Sequence, residues 1–460
     1  MSWQTIVKEK NLSIAEIYFS KITNNLRIEA EFYTTATTST GLVKGADIIR
    51  FSQYGTSKGL NENNIGHPVL RLNEFELSFS GHPAKYCDLL SESEFDSLKL
   101  KKNDVLICRT NGNPKYVGKA ALVMEASDYA FASYLFRLST NEKIRSATLV
   151  AYLNSRVGRL EIEKYSIVSN QANFSPAKFR EITVPLFVKD FEDRIEEIFG
   201  RSWSAHKFAQ KAYKEAEQLL LEETNLEGDK NTYETISVRN LGDVVAENRF
   251  DAEYWQPKFD PLIKKLGENG QRLGSQCKVV KSGAMEYDPN GCFKVLKTKQ
   301  LKNRFIDNKG SIDKTNKGTE IENGDLLFAS MGVGSLGKID IFYSDLYEGQ
   351  YVIDSTLFLL KELKGITPEC LLTLLRLKPY QELIYRYIVG SSGIISISKD
   401  NFENLPIPVI SNLVQKNVTD LVREYHLEQA EAERLLEKTK RAVEIYIEKD
   451  EKEALKYLET

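Results

Sequence analysis

The sequence predicts an α/β (α+β) protein with an internal pseudo-twofold repeat, in which two similar globular domains are separated by two long antiparallel helices. Three observations carry this. Five anchor positions recur in one order at nearly one offset. A long helical pattern follows each half. Between these anchors, short strand-like apolar runs precede helical stretches, which is the layout of a mixed domain.

The repeat accounts for almost the whole chain. LRIEAEFY (Leu26 to Tyr33) returns as NRFDAEYW (Asn248 to Trp255), sharing an arginine, an acid, Ala-Glu and two aromatics. LKKNDVLICRTNGNPKYVGKAALV matches IENGDLLFASMGVGSLGKIDIF, which sets Asp104 on Asp325 and Gly118-Lys119 on Gly337-Lys338. LVAYLNSRVGRLEIEKYSIVSNQ and FSPAKFREITVPLF correspond to LLTLLRLKPYQELIYRYIVGSSG and ISKDNFENLPIPVI, with Phe179 on Phe402 and Pro185 on Pro408. All the offsets lie between 219 and 223, a consistency that chance does not produce.

Each half reads as short alternating strands such as DVLICR and DLLFAS, one helix near Thr148 to Tyr165 or Pro368 to Tyr387, a loop, and a short strand ending in proline. Proline cannot sit inside a helix, so it marks where the globular part stops. The polar stretch EETNLEGDKNTY, Glu222 to Tyr233, divides the halves. The expected boundaries are globular domains at 1–188 and 227–409 and long helices at 189–226 and 410–460. Thr34 to Phe95 shows no counterpart in Pro257 to Leu296. The halves thus share a scaffold and differ in loops, where specificity is carried.

The first long helix is read from about Asp190 to Thr224. Alternating steps of four and three from Phe191 reach Ile195, Ile198, Ser202, Ala205, Ala209, Ala212, Ala216 and Leu219, the heptad seam of a helix packed lengthwise on another. The second, from about Ser411 to Lys449, has the seam Val414, Val418, Leu421, Tyr425, Glu428, Ala432, Leu435, Thr439, Ala442 and Tyr446. Small seam residues let two backbones approach closely. At about 1.5 Å per residue such a helix is about 50 Å long, a length suited to a spacer.

Composition narrows the function. A chain of 460 residues is long enough for two or more cores, and its charge and apolar content are those of a soluble globular protein. The five cysteines (Cys87, Cys108, Cys277, Cys292, Cys370) are odd in number, scattered and without CxxC spacing, and the four histidines form no cluster. This points to reduced thiols and no metal site. No signal pattern and no membrane-length apolar run is present, so a cytoplasmic protein with no membrane partner is expected. The net charge of −3 conceals a local excess: Lys294 to Lys317 holds eight basic residues against Asp307 and Asp313.

Catalytic motifs are discounted. Gly332 to Lys338 satisfies GxGxxG and nearly a P-loop, but both need a helix directly afterwards, and IDIFYSD alternates like a strand. A glycine-rich hairpin tip is the better reading. Asn113-Pro114-Lys115-Tyr116 approaches the Asn/Asp-Pro-Pro-aromatic stretch of amino-methyltransferases but has lysine in place of the second proline. No catalytic residue, metal site or cofactor is assigned to this chain, which is expected to be no enzyme.

The polar loops at repeat-equivalent points are the candidates for DNA contact. They are Arg109, Thr110, Asn111, Asn113, Lys115, Tyr116 and Lys119 with Ser169, Asn170 and Gln171 in the first half. In the second they are Lys297, Lys299, Gln300, Ser330, Ser335 and Lys338 with Ser391 and Ser392. Arg, Lys, Asn and Gln can pair with base edges, and Ser, Thr and amides can hold phosphates.

With these segments in place, the sequence resembles the specificity (S) subunits of type I restriction-modification systems. The paired RIEAEFY and RFDAEYW openings, GDLLFASMGVGSLGK, GSSGIISISKDNFENLPIPVI and the long helix after each half carry the resemblance; VSNQANFS departs from it by lacking the glycine of VGSSG. The resemblance implies two target recognition domains, each reading half of a split double-stranded DNA target, with the long helices as conserved spacers. It also implies two methyltransferase subunits that use S-adenosylmethionine to methylate adenine N6, and restriction motor-nuclease subunits where present. Two alternatives remain open: a duplicated interaction scaffold that binds no DNA, and a nucleotide-binding enzyme using the Gly332–Lys338 loop.

Overall fold

The structure, a computed structural model, describes residues 41–168, 172–226, 236–267, 270–302, 305–308, 312–390 and 395–460. Leu26 to Tyr33 and the candidates Ser169, Asn170, Gln171, Ser391 and Ser392 lie outside the described residues. The chain forms two compact units: Met1–His206 with Glu431–Thr460, and Lys207–Ala430.

The first unit is built on a sheet whose antiparallel part has the order β1 (Ile49–Tyr54), β6 (Leu135–Thr140), β3 (Val105–Cys108), β4 (Ala120–Leu122), continued by the short strand Phe79–Ser80, parallel to β4, and by Phe75–Glu76. A smaller sheet sets β2 (His67–Leu70) parallel to β5 (Ala130–Phe131) and antiparallel to Lys85–Cys87. The second unit repeats this: β7 (Lys278–Lys281), β12 (Leu357–Lys361), β9 (Leu326–Ala329) and β10 (Ile339–Ile341) form the main antiparallel sheet. Here β8 (Phe293–Leu296) runs parallel to β11 (Gln350–Ile353) in the smaller one.

The registers agree as well. Leu135 faces Cys108 and Ile107 faces Ala120 in the first unit, as Leu357 faces Ala329 and Phe328 faces Ile339 in the second. The stretch of the first half for which the sequence shows no counterpart therefore has one in topology. Within it, β1 and β2 pair as β7 and β8 do.

DVLICR and DLLFAS differ from the expected alternation, because every residue of Val105–Cys108 and Leu326–Ala329 is buried. Val105 and Ile107 pack toward the helices while Leu106 and Cys108 pack under the smaller sheet. A strand covered on both faces reads as a continuous apolar run. The single helix expected in each half is two. Ser146–Asn154 (α1) ends at Ser155, whose Oγ accepts from Gly158 N at 3.2 Å to start Arg156–Tyr165 (α2). Pro368–Arg376 (α3) gives way to Lys378–Arg386 (α4), where Pro379, lacking an N–H, is tolerated only in a first turn.

The two long helices are Lys189–Thr224 and Asn412–Glu448. In the first unit the Phe191 and Tyr446 rings lie 4.8 Å apart and Ser202 Oγ donates to Ala432 O at 2.8 Å. In the second, the Tyr213 and Tyr425 rings are 4.9 Å apart and Ser411 N donates to Glu223 Oε1 at 2.9 Å. In each unit the numbers rise on one helix as they fall on the other, so the helices run antiparallel. Phe191, Ile195, Ile198, Ala432, Leu435, Ala442 and Tyr446 are buried in the first unit, and Ala209, Ala212, Ala216, Val418 and Tyr425 in the second. Ala205, Leu219, Val414 and Leu421 are half-buried. The buried face also takes in His206, Tyr213, Leu220, Val422, His426 and Leu436. A helix that packs on a partner helix and on a globular layer needs a wider stripe than a heptad seam.

Candidate nucleic-acid interface

The two polar loops that follow β3 and β9 leave the sheet from one backbone frame. Arg109 N donates to Tyr134 O at 2.8 Å and Ser330 N to Thr356 O at 3.0 Å. Arg109 O accepts from Phe174 N at 2.7 Å, and Ser330 O from Ile397 N at 3.0 Å. Gly118 N bonds Cys108 O at 2.8 Å as Gly337 N bonds Ala329 O at 3.0 Å. Both glycines have positive φ (79° and 86°), the conformation in which a Cβ is costly. A helix braces each loop from behind. Arg159 Nη2 of α2 donates to Lys115 O and Val117 O at 3.1 and 2.7 Å, and Gln381 Nε2 of α4 donates to Gly337 O at 3.0 Å.

In the first unit, several candidates shape the loop. Thr110 and Asn111 form a two-residue strand against Ala172–Asn173, and Thr110 Oγ1 donates to Ala172 O at 3.2 Å. Asn111 Oδ1 accepts from Asn113 N at 2.8 Å, and Asn113 Oδ1 accepts from Lys115 N at 3.1 Å, capping a 3₁₀ turn at Pro114–Tyr116. Their side-chain carbonyls are thus occupied within the loop, which displays Lys115 and Tyr116 to solvent. The Lys119 ammonium is held below its ordinary pKa by burial and by the charge of Lys440. Arg109 is half-buried, with its guanidinium 5.2 Å from the ring centre of Tyr54.

In the second unit two candidates leave the surface set. Gln300 is buried and its Oε1 accepts from Lys297 N at 3.1 Å; Ser330 is buried and its Oγ donates to Thr356 O at 2.9 Å. A sequence cannot distinguish a polar side chain used inside a turn from one displayed by it. Lys297 pairs with Asp313 at 2.8 Å and lies over the Tyr287 ring at 4.2 Å, and Lys299 reaches the same carboxylate at 3.8 Å. Lys317 pairs with Glu286 and Lys294 donates to Glu348 O. Much of the basic stretch is therefore paired, Lys297 and Lys299 with Asp313 and Lys302 with Asp307 inside it and Lys317 with Glu286 outside it, and Arg304 and Lys309 lie outside the described residues.

Ser335 sits half-buried in the turn that closes on Gly332 O. Lys338 opens on a cleft of about 380 Å³ with Lys302, Glu217, Gln381 and Tyr385, and burial, then the Lys302 charge, depresses its pKa. Lys338 runs directly into β10, so Gly332 to Lys338 is a hairpin tip with no following helix to cradle a phosphate. Among the described residues no group of His, Cys, Asp and Glu is placed to hold a metal ion, and no helix is long and apolar enough to cross a membrane.

Sequence reasoning noticed the NRFDAEYW segment but gave it no role. Arg249 makes a two-pronged bond to Asp251 at 2.7 Å and donates to Ile388 O at 3.0 Å, at the entry to the second unit's VGSSG loop. Arg386 lies 3.8 Å from the centre of the Tyr254 ring and donates to Tyr254 O at 2.9 Å. The motif is thus a clasp on α4 and the strand that follows it. Its repetition was the available signal.

No family model matches the sequence, and no curated protein does. Among solved structures, the chain is similar to the crystal structure of a type I restriction-modification system S subunit from M. genitalium, at 12% identity over 93% of this chain and 98% of that one, with a TM-score of 0.41. It is similar to the HsdS subunit from Thermoanaerobacter tengcongensis at 11% identity over 89% and 97%, TM-score 0.30. A third similar structure is described as the basis of complex assembly and conformational transition of the type I R-M system, at 12% identity over 93% and 98%, TM-score 0.29.

Proposed function

We propose that this chain is the sequence-specific DNA-binding subunit of a type I restriction-modification complex and does no chemistry itself. Residues 1–188 and 227–409 serve as target recognition domains, each reading one half of a bipartite duplex target. The helices at 189–226 and 410–460 serve as the spacer and as the seat of two methyltransferase subunits. Adenine N6 methylation from S-adenosylmethionine belongs to those partners, and cleavage to restriction subunits where they exist; base flipping accompanies the partners' chemistry.

One observation carries this reading. Two scaffolds with the same main-sheet strand order, registers and loop-anchoring hydrogen bonds carry different side chains at equivalent points, a half-buried Arg109 against a buried Ser330. A duplication kept for structure alone has no need of differing loops, whereas a reader of two unlike half-sites does.

Duplex binding by the full chain with its methyltransferase tests the proposal against a scaffold that binds no DNA. Affinity falling steeply with salt is the expected result, because phosphate contacts release counterions. Absence of duplex binding at low salt refutes it.

A further inference from the structure

Arg109 stands apart from the other arginines. Among the described residues it is the one half-buried arginine whose guanidinium has neither a hydrogen bond nor an ion pair, and its Nε is buried without a partner. Its neighbours in the first unit are spent: Arg137 on Lys99 O, Ser97 O, Asp104 and Gln53, Arg159 on Lys115 O and Val117 O, Arg71 on Glu74. A polar group withdrawn from water without an acceptor is costly, so an idle fork at a loop base marks a place for an acceptor that the described residues do not supply.

The surroundings define that acceptor. The guanidinium lies 5.2 Å from the ring centre of Tyr54, itself 46% exposed, so an aromatic ring at the surface supports it at the base of the loop that displays Lys115 and Tyr116. A planar fork matches two acceptors side by side, as a guanine edge or a phosphate presents them; at the half-buried loop base beside Tyr54 we take the base edge as its partner, with the exposed Lys115 as the phosphate contact. The backbone around Arg109 is bonded as it is around Ser330, yet Ser330 is buried and donates to Thr356 O. At this position the second unit carries a buried serine in place of the fork.

We infer that Arg109, positioned by Tyr54, reads the O6 and N7 edge of a guanine in the half-site bound by the first unit, and that Ser330 at the equivalent position of the second unit makes no such contact. This rests on the DNA-reading function proposed above.

The test uses the full chain with its methyltransferase and a pool of random-sequence duplexes, with bound molecules sequenced for wild type, Arg109→Ala, Arg109→Lys and Tyr54→Leu. Wild type is expected to enrich a split sequence with a guanine in one half. Arg109→Ala and Arg109→Lys should each lower preference for that guanine about tenfold or more, since a bidentate contact carries that much discrimination. The other half should be unchanged, and it serves as the internal control for folding. Tyr54→Leu should weaken the same preference.

Three outcomes overturn the inference while leaving DNA reading intact. They are an unchanged split sequence in both Arg109 variants, loss of preference in both halves, or a uniform affinity loss with the salt slope reduced by about one, which marks a phosphate contact. A wild-type chain that enriches no sequence defeats the DNA-reading function itself, and this inference with it.

Discussion

The second unit contains a buried ionic network whose removal has a calculable cost. Asp340 on β10 is 0% exposed and accepts from Arg376 Nη2 and Ile341 N, each at 2.9 Å. Arg376 at the end of α3 also donates to Ile339 O, at 2.8 and 3.0 Å, and to Tyr213 OH of the first long helix at 3.3 Å. Replacing Asp340 by Asn keeps the shape and removes the charge that Arg376 faces. Breaking one side of a buried pair costs about 3–5 kcal/mol. Asp340 Oδ2 has no hydrogen-bond partner, so the carboxylate is incompletely solvated and the low end, about 3 kcal/mol, is expected. The assay is urea unfolding followed by Trp255 fluorescence, with Trp3 and Trp203 replaced by Phe so that the signal belongs to this unit. Asp340→Asn, Arg376→Met and the double variant complete a thermodynamic cycle, with an expected coupling of about 2 kcal/mol. A single-variant cost below about 1 kcal/mol, or a coupling near zero, refutes the reasoning.

Three further outcomes follow from the same structure. Gly118→Ala combines a φ of 79° with a Cβ 2.6 Å from Ile162 Cγ2, so it should destabilise by about 1–2 kcal/mol and disturb only the first unit's specificity; thermal melting and the selected sequences check both. Burial lowers the His426 pKa to about 4, against the neighbouring Asp340 carboxylate, which raises it. The unfolded chain therefore binds the extra proton first, and stability present above pH about 6.5 should fall as pH drops toward 4, by about 3 kcal/mol; His426→Gln should flatten that slope in urea titrations. Deleting seven residues from the middle of each long helix removes about 10 Å while keeping the heptad phase, and the gap in the target should shrink by about three base pairs with both half-sites kept. An unchanged gap contradicts the spacer role.

Large regular features were legible in the sequence because they repeat or have a period. The long helices, the doubled α/β plan and the Gly332 hairpin tip follow from offsets, heptads and the strand after Lys338. Features set by tertiary contact were not. The break at Ser155 depends on one hydroxyl turning back to Gly158 N, and the equivalence of β2 and β8 is held by backbone pairing that leaves no trace in side chains. Of the candidate loop residues, Gln300 and Ser330 carry the right chemistry but point into turns. Arg109 carries it at a place where no described residue answers it, and the sequence had no means of ranking it above its neighbours.

The most direct measurement is to co-express this chain with its methyltransferase in a host lacking adenine methylation and to map the modified adenines by sequencing. The account predicts methylation within a motif of two defined half-sites separated by a gap of fixed length and free sequence. A single uninterrupted motif, or a map identical to that of the methyltransferase alone, contradicts it.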